Sequence, residues 1–160
     1  MITLYHGSNV KISKPDLLLS KPFKDFGQGF YLSADKQQAW DLAFNKVSQM
    51  QSGKATVSSF LFDESIMLSD ELNVKFFDEY SVEWAKFILM NRDTHLPQPC
   101  HNYDIVYGPI ADDGVTYQLR RYRGGVISLE KLIQELKYAK GITFQYYFGT
   151  ERALSKLLAL

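Results

Sequence analysis

The sequence predicts an α+β fold, and three features of it carry that prediction. Runs rich in β-branched and aromatic residues, several alternating with period two, fall at residues 2–6, 30–32, 55–62, 103–110 and 142–148. Between them lie stretches whose apolar residues recur every three or four positions, the spacing of one helix face. No internal repeat, low-complexity tract or linker interrupts the 160 residues, so the chain reads as one domain over residues 1–160.

The first strand places Ile2, Leu4 and His6 on one face and Thr3 and Tyr5 on the other, and it ends at Gly7 with His6 at its tip. Lys14-Pro15-Asp16 breaks regular structure, and a polar connection continues through Lys24 to the Gly27/Gly29 pair and the strand at residues 30–32. Ser33 is the expected N-cap of a helix from Asp35 to about Met50, with Ala39, Ala43, Val47 and Met50 at helical spacing and Gly53 closing the unit. The strand at residues 55–62 leads into an acidic connection around Asp63, Glu64, Asp70 and Glu71. Trp84, Ala85, Ile88 and Leu89 give a second helix over residues 81–91, and Pro97 and Pro99 mark a loop. Asp112-Asp113-Gly114 reads as a turn after the strand at residues 103–110. Arg120, Arg121 and Arg123, interleaved with Tyr117 and Tyr122, then read as a solvated edge strand, with a nucleic-acid-contacting strand as the rival. Ser128 caps a helix with Leu129, Leu132, Ile133 and Leu136 on one stripe and Gly141 at its end. In the last strand Ile142, Phe144, Tyr146 and Phe148 share a face, which turns Thr143, Gln145 and Tyr147 to the other. Thr150 caps a short terminal helix bearing Leu154, Leu157 and Leu158.

Charge and cysteine content narrow the partners. Lys plus Arg and Asp plus Glu both number 18, so no net charge steers the chain globally toward nucleic acid or an anionic membrane. Cys100 is alone, which excludes an intramolecular disulfide and suits a reducing, cytoplasmic setting. No basic segment leads into an apolar run at the N-terminus, and no apolar stretch is long enough to span a bilayer. The spacing of His95, Cys100 and His101 matches no zinc pattern, so no metal is expected.

Other residues admit both a site reading and a structural one. His6 is a site candidate or a strand-end histidine satisfied by backbone, and Gly27 and Gly29 serve a ligand or only a tight turn. Tyr31 stacks on a ligand or joins the core, Gln145 faces a cleft or solvent, and Trp40 lines a pocket from the first helix or packs inside.

Tyr5-His6-Gly7-Ser8, Phe26-Gly27-Gln28-Gly29-Phe30-Tyr31 and Gln145 together resemble the three signature positions of the diphtheria-toxin-like and poly-ADP-ribose-polymerase-like ADP-ribosyltransferases. A bacterial family of largely unknown function, classed with them, resembles the chain almost throughout. The resemblance implies a split antiparallel β-sheet core with flanking helices and NAD as co-substrate. It assigns His6 to an adenosine-ribose hydroxyl, the Gly7 backbone to the nicotinamide amide and Tyr31 to stacking on the nicotinamide ring. It also places Tyr5, Ser8, Gly27, Gly29 and Phe30 around the dinucleotide. Gln145 stands where the superfamily's Glu polarises a ribose hydroxyl. Losing a full charge about 4 Å from a developing cation forfeits roughly 4 kcal/mol at an effective dielectric near 20, or about three decades in rate. The implied activity is therefore slow or target-restricted mono-ADP-ribosyl transfer to an unknown macromolecular acceptor. A toxin-like effector held by an inhibitory protein partner fits a member of that class. Three rivals remain: a non-catalytic NAD or ADP-ribose-binding module, an NAD glycohydrolase, and a cleft acting on RNA with the segment from Arg120 to Arg123.

Overall fold

The computed structural model describes residues 1–139 and 141–160. In chain order the regular elements are β1 (Ile2–Ser8), β2 (Phe30–Leu32), α1 (Lys36–Met50), β3 (Thr56–Phe62), β4 (Val74–Phe76), α2 (Val82–Arg92), β5 (Ile105–Pro109), α3 (Asp113–Arg123), α4 (Leu129–Lys137), β6 (Phe144–Phe148), α5 (Glu151–Leu154) and β7 (Leu158–Ala159). One sheet has the order β1-β3-β7 and the other β2-β6-β5-β4. Among the described residues their backbones are joined by one antiparallel bridge, Tyr5 to Ser33. The α+β reading holds. The expected all-antiparallel pairing does not, because β4 runs parallel to β5. That three-residue strand, with Lys75 at its centre, is too short to give a periodic signal.

The four-stranded sheet has an apolar layer on each side. Phe30, Leu32, Ile105, Tyr146 and Phe148 pack with Leu4, Phe60 and Phe62 of the three-stranded sheet. From the opposite side, Val106 and Tyr147 pack with Phe26, Trp84 and Ile88, and with Val115, Leu119, Leu132 and Leu136 of the helices. Side chains of one strand alternate between faces, so β2, β5 and β6 each supply both cores.

Caps set most helix boundaries. The carboxylate of Asp35, not the hydroxyl of Ser33, accepts the first free N–H groups of α1, from Gln37 and Gln38, while Ser33 Oγ accepts from Asp35 N at 2.9 Å. Gln51 ends that helix in the left-handed region, ahead of the expected Gly53, and Met50 at its foot is exposed. Ser128 and Thr150 cap α4 and α5 as expected, and Ser81, the first residue of the expected second helix, proves to be the cap of α2. β6 begins at Phe144, so Ile142 lies outside it and exposed, and α4 stops at Lys137 with Tyr138 as its cap, short of Gly141. Leu158 belongs to β7 and is exposed, so it is no part of a terminal helix.

The largest departure is α3. Asp112-Asp113-Gly114 begins a helix, with Asp112 Oδ1 accepting from Val115 N at 2.8 Å, and the Tyr117-to-Arg123 segment is helical rather than an edge strand. Val115, Leu119 and Tyr122 recur at helical spacing and meet the core, and the arginines fall in the last turn, where the helix dipole favours cations. On a strand Tyr117 and Leu119 would share a face; here Tyr117 is 60% exposed and Leu119 1%. Urea denaturation should therefore show Leu119→Ala losing about 2–4 kcal/mol and Tyr117→Ala less than about 0.5 kcal/mol. Equal losses at both positions would restore the strand.

Candidate functional site

β1 and β2 meet at Tyr5 and Ser33, which exchange two backbone hydrogen bonds of 2.8 and 2.9 Å, and then the pairing stops. Along an antiparallel strand every second residue turns its N–H and C=O to the same neighbour, so Gly7, like Tyr5, turns both toward β2. No ladder bond joins Gly7 to β2 among the described residues. The Tyr31 carbonyl is bound instead by the side chain of His6, whose Nδ1 lies 2.7 Å away. The other face of Gly7 has its own constraint: a Cβ there would sit 1.9 Å from the Ala39 carbonyl oxygen, so only glycine lets α1 lie this close to β1.

The His6 bond fixes a tautomer. A carbonyl only accepts, so Nδ1 carries the proton and Nε2 presents a lone pair. Burial lowers the His6 pKa to about 4; the bond to Tyr31 opposes that shift, and the ammonium groups of Lys46 and Lys24 add to it. His6 is thus a neutral acceptor at physiological pH. Its ring stacks on Phe30 at 4.3 Å between centroids, which puts it on the opposite face of β2 from the Tyr31 ring.

Tyr31 and Gln145 do share a face. Tyr31 pairs with Tyr147 in register, and Gln145 lies two residues along β6 from Tyr147. The Tyr31 hydroxyl donates to the Gly27 carbonyl at 2.7 Å and accepts from Phe26 N at 3.0 Å, so its polar end is engaged by the loop at residues 25–29. Burial drives its pKa well above the ordinary phenol value. One ring face is covered by Lys24, whose Nζ lies 5.0 Å from the centroid. Gly29 has a packing cause, since a Cβ there would fall 2.1 Å from the Tyr147 ring.

Gln145 is oriented by Asp25, a residue without an expected role in the sequence. Its Nε2 donates to Asp25 Oδ2 at 3.2 Å, and because a carboxylate only accepts, the amide oxygen is the end left for another donor. Asp25 also accepts from Arg92 Nε and Nη2 at 2.9 and 2.5 Å and from Ala111 N at 3.3 Å. Arg92 lies 67 residues away in sequence, so nothing local announces the pair. The contact supplies a reason for Gln rather than Glu at position 145: a second carboxylate there would face the first.

Three further residues have settled surroundings. Trp40 is half-buried and stacks on Phe44 at 5.8 Å. Ser8 is buried beside Asn9. His101 donates from Nε2 to the Phe26 carbonyl at 2.6 Å and accepts from Tyr103 N on Nδ1, so it braces the glycine loop. Among the described residues no group of three or more His, Cys, Asp or Glu could hold a metal, and no helix is long and apolar enough to cross a membrane. Two shallow depressions, of about 150 and 340 Å³, lie elsewhere, one around Ser33, Gln38 and Phe144 and the other between α3 and α4.

Comparison with known families matches residues 2–158 to the family described as Protein of unknown function (DUF3990). The chain belongs to that family. No curated protein and no solved structure matches it. Membership spans nearly the whole chain and brings no activity with it, so the chemistry rests on the residues themselves.

The His6 geometry sets a pH dependence. With a folded pKa of about 4 against an ordinary value of 6.5, the unfolded chain binds the proton first as pH falls. Stability from this group is fully present above about pH 6.5 and is lost as pH falls toward 4, on the order of 3 kcal/mol in all. His6→Asn keeps a donor for the Tyr31 carbonyl without a titrating ring, and urea midpoints across that window should be visibly flatter for it. A profile identical to the wild type would mean that His6 titrates as it does in water.

Proposed function

We propose that this protein is an NAD-dependent mono-ADP-ribosyltransferase, with the two sheets forming the split core of an ADP-ribosyltransferase-like fold. The reading is carried by the place where β1 and β2 part. There Gly7 presents an N–H and a C=O without a ladder partner, beside a neutral His6 whose Nε2 can accept. A carboxamide needs such a donor–acceptor pair, and a ribose hydroxyl needs such an acceptor. Gln145 adds a second neutral acceptor, held by Asp25 with its amide oxygen free.

In the reaction the bond between nicotinamide N1 and ribose C1′ breaks and its electron pair leaves with nicotinamide. The ribose passes through an oxocarbenium-like state, and the acceptor's nucleophilic atom bonds C1′ as it loses its proton. His6 and Gly7 hold and orient NAD, and the Gln145 oxygen accepts from a ribose hydroxyl and favours the developing cation through its dipole. Tyr31 stacks on the nicotinamide ring once Lys24 has left the ring face it covers. The charge of Asp25 is taken up by Arg92, so the stabilisation is dipolar and the turnover slow.

Adenine-labelled NAD offered with a cell lysate should label a macromolecule while nicotinamide is released. His6→Ala and Tyr31→Ala should abolish both signals, and Gln145→Ala should lower both by roughly 10- to 100-fold. Release without labelling would make the protein a glycohydrolase, and NAD binding with neither signal would make it a binding module.

The Asp25 contact yields a separate expectation. Gln145→Glu should lower stability at neutral pH by about 2 kcal/mol through carboxylate repulsion, and Asp25→Asn in that background should recover part of the loss. Denaturation of the two single variants and the double variant measures the coupling. Additive effects would place the two side chains out of contact.

A further inference from the structure

Lys24 and Lys46 approach one corner of the molecule from different elements. Lys24 precedes the glycine loop, and its Nζ stands over the Tyr31 ring at 5.0 Å from the centroid. Lys46 comes from α1 and brings its Nζ to 3.4 Å from Ser8 Oγ, one residue beyond the open backbone of Gly7. Both ammonium groups help hold His6 in its neutral form. Burial lowers the pKa of Lys24, and Lys46 and Lys21 lower it further.

Among the described residues neither lysine forms an ion pair with a carboxylate, although the charge of Asp25 partly opposes the lowering of the Lys24 pKa. Ion pairs among the described residues engage Lys75, Arg92, Arg123, Lys131, Arg152 and Lys156 instead. Asp25, next to Lys24 in sequence, is occupied by Arg92, Ala111 N and Gln145. Cations brought together without an ion-pair partner of their own raise the free energy of the free protein, and an anion bound beside them returns that cost.

We propose that Lys24 and Lys46 form a diphosphate-binding subsite at the parting of β1 and β2, and that Lys24 leaves the Tyr31 ring to engage the diphosphate. The assignment of that diphosphate to a dinucleotide rests on the NAD reading above. In NAD the diphosphate lies between the two riboses, so His6 and Gly7 on the two ends put it beside Ser8 and Lys46. The motion of Lys24 then exchanges one cation for another on the same π face, as the pyridinium ring of nicotinamide takes the place of the ammonium. Diphosphate binding and nicotinamide stacking are thereby linked through one side chain.

Titration calorimetry of the full chain with NAD, inorganic pyrophosphate and nicotinamide riboside, at low and high salt, tests the subsite. Lys24→Gln and Lys46→Gln should each weaken NAD and pyrophosphate by roughly tenfold or more, Lys46→Arg should stay within about threefold of wild type, and added salt should weaken both ligands. Nicotinamide riboside, which lacks the diphosphate, should bind Lys46→Gln as it binds wild type. Circular dichroism melts establish that each variant folds. NAD affinity unchanged in both Gln variants would overturn the lysine subsite and leave the NAD reading standing. Lysine-dependent pyrophosphate binding without any NAD binding would uphold the subsite and overturn the dinucleotide. Wild-type protein that binds neither would overturn both.

Discussion

The carboxylate of Asp25 is the constraint on which the rest of the site depends. Its two oxygens accept from Arg92 at the end of α2, from the Ala111 N–H just before α3 and from Gln145 on β6, while its backbone starts the glycine loop. Arg92 Nη1 extends the network to Thr116 Oγ1 at 3.3 Å. The side chains of Asp25 and Arg92 are only 12% and 26% exposed, so removing either would leave a charge poorly solvated and unpaired. A pair of this kind adds little net stability over an apolar contact, yet it penalises every arrangement in which loop, helix and strand are not together. Its contribution is register, and that register aims the Gln145 amide.

β6 carries the second constraint because residues on both of its faces enter a core. Tyr146 and Phe148 enter the core between the sheets, and Tyr147 enters the core beneath the helices. Tyr147 lies 5.3 Å from Tyr31 and 5.6 Å from His101 between ring centroids, and its hydroxyl donates to the Gln28 carbonyl at 3.1 Å. The close approaches at Gly29 and Gly149, where a Cβ would fall 2.1 and 2.4 Å from Tyr147, show how tightly that ring is held. The glycine pattern near residue 29 therefore has a packing cause within the protein, and a ligand is not needed to explain it.

Local patterning carried much of the fold. Alternation in β1, β3 and β6, helical spacing in α1, α2 and α4, and the capping side chains of Ser128 and Thr150 all act within a few residues, which is why they are legible. α3 was obscured because Asp-Asp-Gly serves a turn and a helix start alike, and arginines interleaved with tyrosines imitate strand alternation. Alternation also put Gln145 with Tyr147 on one face of β6, but the register that sets Tyr31 on that face is a long-range pairing. The His6 tautomer and the bonding of Asp25 did not follow from local pattern, because each joins residues 25 or more apart in sequence through hydrogen bonds that no periodicity encodes, and the ladder gap at Gly7 depends on where a distant strand parts from β1.

The site's electrostatics bear on what it can do. Its charges are cationic, from Lys24 and Lys46, while the nearest carboxylate is consumed by Arg92, and both His6 and Gln145 present neutral acceptors. On the proposed NAD reading, such a site would favour the negative diphosphate of a dinucleotide more than the positive ribose that forms as nicotinamide leaves. Binding and chemistry would then be weighted differently, with affinity set by full charges and turnover by dipoles that interact more weakly with a cation. A bound diphosphate would narrow that imbalance by neutralising the two lysines. On that reading the substrate would supply part of the negative potential that a glutamate at position 145 would otherwise provide, while the contact with Asp25 disfavours a second carboxylate there.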